Sequence, residues 1–170
     1  MCRELTVTDP TGPITGIPIR VLIVDNHSIF RQVLRNILGR YPDVEIVGEA
    51  ANGLQAVERA DTLRPELILM DVNMPLMGGI EATRTIKDRY PRMVIIGLSA
   101  DAKEHRTTMH AAGAFLVLTK EDVVHELYVA LHRAKAESAR IAAPADEPPQ
   151  RDGQEEKPPG QASPEKPAPS

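Results

Sequence analysis

The sequence predicts an α/β protein: a parallel five-stranded sheet with helices packed on both faces. Two observations predict it. Five short runs of β-branched and aliphatic residues, at 20–24, 45–48, 67–70, 94–98 and 115–118, are each trailed by a segment with helical spacing. Strand and helix therefore alternate five times over about 120 residues, the pattern of right-handed crossovers that cover both surfaces of a parallel sheet. In addition, the polar residues with chemical potential collect just after these runs. Open parallel sheets carry their sites at the carboxyl ends of the strands, near the switch in strand order.

Each element has its own signal. Several of the runs are apolar at successive positions, as strands buried on both faces are. The first helix is marked by Ile29, Val33, Leu34, Ile37 and Leu38, and the second by Leu54, Val57 and Leu63. Ile80, Ala82, Thr83 and Ile86 mark the third, and Val124, Leu127, Tyr128 and Leu131 the last. Charged residues lie between these positions, on what would be the wet faces. Gly39, Pro42, Gly53, Pro65, Pro75, Gly78, Gly79 and Pro91 punctuate the pattern.

Composition sets the limits. Hydrophobic residues make up 42% and charged residues 26%, a globular balance, while aromatics are 3% and Trp is absent, so the core is aliphatic. The net charge of −4 gives no reason to expect nucleic-acid or anionic-membrane affinity. Cys2 is the one cysteine, which fits a reducing, cytoplasmic setting. No stretch approaches the roughly 20 apolar residues of a membrane span. Residues 1–18, rich in Thr, Gly and Pro, read as a flexible arm, and 19–142 as one domain. Residues 143–170 read as a disordered, Pro-rich acidic tail: eight of the fifteen prolines fall there, and the segment lacks the apolar residues needed to offset its ordering entropy.

The first run leads into Asp25, Asn26 and His27. The third leads into Asp71, Val72 and Asn73, the fourth ends at Ser99, and the fifth reaches Thr119 and Lys120. A carboxylate pair, a hydroxyl and a lysine converging across the sheet suit a divalent cation and a phosphoryl group, because hard oxygen ligands favour Mg²⁺ and cations neutralise phosphoryl oxygens. Rival chemistries lack their residues. There is no GxxxxGK[ST] loop, no GxGxxG after the first strand and no GxSxG elbow. The second acid of a haloacid-type phosphatase would stand at Asn73.

The segments VLIVDNHSIFRQVLRNIL, PELILMDVNMPLMGGIEATRTIK, VIIGLSA and AAGAFLVLTKED resemble the receiver domains of two-component response regulators. VDNH, GLSA and a lysine not followed by Pro are most similar to the LuxR/NarL-type subgroup. The resemblance spans residues 19 to about 135, and it implies a flavodoxin-like (βα)5 sandwich with strand order 2-1-3-4-5. It also implies roles. Asp71 is the phosphoacceptor. Asp25, Asp71 and the backbone carbonyl of Asn73 hold Mg²⁺, with Asn26 a weakened position. Ser99 is the switch hydroxyl and Lys120 the phosphoryl contact. Asn73 and Asp101 stand where side chains tune hydrolysis.

Two positions depart from the family pattern. Asn26 replaces the second acid of the usual pair, and loss of a ligand charge weakens a dication site. Val117 stands where an aromatic residue often swings inward with the switch hydroxyl, and valine is small and stiff at χ1. His27 reads as a helix-start residue; His105, His110, His125 and His132 read as surface or partner-facing.

The implied partners are a sensor histidine kinase or phosphotransfer protein and an unknown downstream protein, with homodimerisation left open. The implied activity is self-phosphorylation and self-dephosphorylation rather than turnover of a separate substrate. Residues 144–170 are too polar for the helix-turn-helix domain of a LuxR-type regulator, so direct DNA binding is not expected. The rival expectation is a degenerate receiver derived from such a regulator, acting as a constitutive interaction module.

Overall fold

The computed structural model describes residues 16–142. The expected tail at 143–170, and all but the last three residues of the expected arm, lie outside the described residues. Five strands and five helices alternate in the order β1 (Ile19–Val24), α1 (Ser28–Leu38), β2 (Val44–Ala50), α2 (Gly53–Leu63), β3 (Leu67–Asp71), α3 (Gly79–Arg89), β4 (Val94–Ser99), α4 (Ala102–Ala111), β5 (Leu116–Thr119) and α5 (Val123–Ala142). The strands form one parallel sheet in the order β2-β1-β3-β4-β5, as expected.

Residue choice explains the layering. Successive strand side chains point to opposite faces. Val21 and Ile23 of β1 therefore join Leu67 and Leu69 of β3 on the face covered by α1 and α5. Leu22 and Val24 join Ile68 and Met70 on the face covered by α2, α3 and α4. The two faces are filled differently. α1 and α5 insert Leu34, Ile37, Leu38, Leu127 and Leu131. The opposite helices approach with Ala56, Ala60 and Ala82, and Ile86 and Met109 fill the remaining space. All five residues of β3 and all six of β4 are buried, as strands flanked on both sides must be. β2, at the edge, is only half-buried and carries Glu45 and Glu49.

Local signals set the helix ends. The Asn52 side chain accepts from the Gln55 amide at 2.9 Å while Gln55 reaches back to the Ala51 amide at 2.9 Å, a reciprocal cap that starts α2. Asp101 caps α4 by accepting from the Lys103 and Glu104 amides.

The apolar spacing of the helices is only partly core. Ile29 is 78% exposed, and Val33, Leu54 and Val124 also face outward. In α1 the stripe that meets the sheet is Leu34, Ile37 and Leu38, with Phe30 packed against it. Ile29 and Val33, four apart, form a neighbouring stripe with the same period, so spacing alone did not separate the two.

Candidate functional site

The carboxyl ends of β1, β3 and β5 bring three charged side chains together. Asp25 follows β1 directly and its amide donates to the Ala50 carbonyl at 3.1 Å. Asp71 is the last residue of β3. Lys120 follows β5, fixed there by its amide donating to the Ser99 carbonyl at 2.9 Å. Asp25 is fully buried, Asp71 is 2% exposed, and Lys120 Nζ lies 2.6 Å from Asp25 Oδ2 and 3.1 Å from Asp71 Oδ1. The Phe30 ring lies under the same ammonium, 4.7 Å from its centroid, a cation–π contact that spacing did not flag.

The loop after β3 is held tightly. Gly79 starts α3 with its amide donating to the Val72 carbonyl at 2.9 Å. A Cβ on Gly79 would lie 2.0 Å from the Asp71 carbonyl oxygen, so the second glycine of the MPLMGG run is what lets α3 close on the strand tip.

The remaining carboxylate oxygens also find donors. Asp25 Oδ1 accepts from the His27 amide at 2.7 Å, with His27 Nδ1 3.2 Å away. With its amide oriented to satisfy its neighbours, Asn26 donates to Asp71 Oδ2 at 2.9 Å and lies 3.3 Å from the Asn73 carbonyl. Asn26 thus ties that carbonyl and the Asp71 carboxylate together. Two buried carboxylates share one ammonium, and the imbalance is visible at Asp71. Burial pushes its carboxyl above the ordinary value of 3.8 and the charge of Asp25 pushes the same way, while Lys120 and the Asn73 amide oppose them.

In ligand type, the pocket fits Mg²⁺. The Asp25 and Asp71 carboxylates and the Asn73 carbonyl are hard oxygen donors at one place, and Asn26 brings no charge of its own.

Ser99 is placed differently from Asp25, Asp71 and Lys120. It is buried at the tip of β4, beside the strand that carries Asp71. Its hydroxyl, however, accepts from the Asp101 amide at 3.1 Å and meets His105 Nδ1 at 3.0 Å. Among the described residues no hydrogen bond joins it to Asp71. His105, read from the sequence as surface or partner-facing, is half-buried and bonded to the hydroxyl expected to switch. Asp101, expected to act on hydrolysis, spends one carboxylate oxygen on capping α4. His110 and His132 are likewise engaged within the domain, with the Ala114 carbonyl and with Asp43. Val117 is buried opposite Gly97, where a Cβ on the glycine would stand 3.2 Å from a valine methyl. That side of β5 is therefore already filled.

The sequence model of the response regulator receiver domain matches residues 21–132. A protein-glutamate methylesterase/protein-glutamine glutaminase of Alkalilimnicola ehrlichii is 45% identical over 96 residues, 56% of this chain and 25% of the relative. The nitrate/nitrite response regulator protein NarL of Escherichia coli is 36% identical over 121 residues, 70% of this chain and 56% of the relative. The chain thus spans a quarter to just over half the length of these two relatives. Among solved structures, the response regulator domain of Thermotoga maritima CheB superposes with a TM-score of 0.64 at 33% identity, covering 70% of this chain and 97% of that one. The chain belongs to the response regulator receiver domain family.

Proposed function

We propose that this chain is a response regulator receiver that accepts a phosphoryl group on Asp71 from a phosphohistidine of a sensor kinase or phosphotransfer protein. One observation carries the reading: Asp71 stands at the tip of the central strand with an ammonium 3.1 Å from one carboxylate oxygen and a second acid sharing that ammonium. In the transfer, an Asp71 oxygen forms the new bond to phosphorus as the bond from phosphorus to the imidazole nitrogen breaks, and the electron pair leaves with the ring. Lys120 then pairs with a phosphoryl oxygen. Mg²⁺, when bound by Asp25, Asp71 and the Asn73 carbonyl, would supply charge neutralisation at the phosphoryl oxygens.

Ser99 reaches the phosphoryl group by exchanging its bond to His105 for one to a phosphoryl oxygen. That rearrangement alters α4 and β5, the surface through which partner binding changes, at about residues 102–135. Val117 transmits it by a small shift of a packed side chain rather than by an aromatic swing. In this reading residues 19–142 are the functional unit, flanked by 1–18 and 143–170. The chain acts in the cytoplasm, through proteins and not through DNA. Its only chemistry is its own phosphorylation and dephosphorylation.

Labelling with a small phosphodonor and Mg²⁺ tests the assignment. Wild-type chain takes up one phosphoryl group and Asp71→Asn takes up none; undiminished labelling of the variant removes Asp71 from the site.

A second reading is favoured by Asn26, whose amide donates to the oxygen that would otherwise face the metal. In that reading the receiver is a constitutive interaction module. Titration with Mg²⁺ and a phosphoryl mimic separates the two: shifts centred on Asp71 and Ser99 support phosphorylation, and silence to high Mg²⁺ supports the module.

A further inference from the structure

His27 occupies the position that caps α1, where a short oxygen-bearing side chain ordinarily accepts from the first-turn amides. Its backbone is extended there (φ −92°, ψ 111°), yet its side chain makes no capping bond. The ring turns back toward the pocket. Its Nδ1 lies 3.2 Å from Asp25 Oδ1, and one ligand atom from each of Asp25, His27 and Asp71 falls within a 4.8 Å cluster. Two donors on one ion at roughly 2.1 Å stand about 3.0–3.4 Å apart, so the Asp25–His27 pair, hydrogen-bonded in this structure, needs little movement to share an ion. The imidazole is also open to arrival from solvent, at 66% side-chain exposure, while both carboxylates are buried. The neighbouring Asn26 supplies no third negative charge; its amide nitrogen faces Asp71 Oδ2, the Asn73 carbonyl and His27 Nδ1 itself, 3.1 Å away, a contact that an arriving ion would displace.

We propose that Asp25, His27 and Asp71 form a mixed nitrogen–oxygen site for a first-row divalent transition ion, with His27 Nδ1 taking the ligand place that Asn26 leaves empty. The inference deepens the reading of this pocket as a cation site and rests on it. A neutral imidazole adds little for Mg²⁺, which prefers oxygen, and much for ions from Mn²⁺ to Zn²⁺. The site therefore discriminates between metals through one side chain.

The test titrates the full chain with Mg²⁺ and, separately, Co²⁺ by calorimetry, for wild type, His27→Gln and Asn26→Asp, with circular dichroism confirming each fold. His27→Gln is expected to weaken Co²⁺ by about tenfold or more and Mg²⁺ by less than about twofold. Asn26→Asp is expected to strengthen Mg²⁺ by about tenfold. Substoichiometric Co²⁺ should broaden the His27 ring signals before those of His105, His110, His125 or His132. Unchanged Co²⁺ affinity in His27→Gln, or earlier broadening of another histidine, overturns the imidazole ligand. If Mg²⁺ still supports labelling of Asp71 in that case, only this inference falls. If the wild-type chain binds neither ion and takes no label, the underlying reading falls with it.

Discussion

Both ends of the sheet bury an aspartate beside a basic side chain, and they treat it in opposite ways. At the carboxyl end, Asp25 and Asp71 share Lys120, and every carboxylate oxygen has a nitrogen donor within 3.1 Å. At the amino end, Asp43 is buried just before β2. Its Oδ2 pairs with His132 Nε2 at 3.0 Å, while its Oδ1 has no hydrogen-bond partner among the described residues. The rings of Tyr41 and Tyr128 stack beside it at 3.9 Å, and His132 packs edge-on at 4.4 Å. Burial, followed by the Asp43 charge, pushes the Tyr128 hydroxyl above its ordinary value. Each end has an acid, a basic side chain and a ring. The difference is that the carboxyl end converges two acids from two strands, so that like charges face each other and one is left electrostatically strained. The amino end has one acid and no such tension, which is why it reads as architecture.

Four substitutions would break or sharpen this contrast. The largest effect belongs to Gly79→Ala, where the new Cβ meets backbone that cannot swing aside; a loss of about 3 kcal/mol or more is expected in denaturant unfolding. Lys120→Met leaves two buried carboxylates facing each other, at a cost of about 2–3 kcal/mol near neutral pH that shrinks on acidification. A pH-independent loss would show that the ammonium acts through packing on Phe30 instead.

Asp71→Asn goes the other way. Because the folded carboxyl titrates above its ordinary 3.8, its favourable contribution is complete below that value and is lost as pH rises through the folded pKa. The variant should therefore be more stable than wild type at neutral pH, with the gap closing as pH falls toward 3.8. At the other end, His132→Gln is expected to cost only about 0.5–1 kcal/mol in thermal unfolding, since the imidazole is half-exposed. A loss matching that of Lys120→Met would erase the distinction between the ends.

Most of the fold was legible because strand burial and helix spacing are local records of the sheet's two faces. The runs at 67–70 and 94–98 fall inside β3 and β4, each of which extends one residue further to include Asp71 or Ser99. The exposed stripe of α1 was not separable, because Ile29 and Val33 repeat with the same period as the buried residues. The acids and the lysine were legible as residues at strand ends. What was not legible is orientation. Nothing in the spacing says that the Ser99 hydroxyl turns to His105, that Asn26 donates to Asp71, or that His27 turns away from its helix cap. These depend on side-chain rotamers set by neighbours distant in sequence.

The burial of β3 has a consequence for how any chemistry on its last residue is measured. The strand is hydrogen-bonded on both sides, by β1 and by β4, and all five of its residues are buried. Its amides should exchange with deuterium only when the whole domain opens, at the slowest rate in the chain. A molecule that has frayed at an edge keeps this strand, and one that has lost it has lost the pocket altogether. Covalent labelling at its tip therefore reports on intact domains alone.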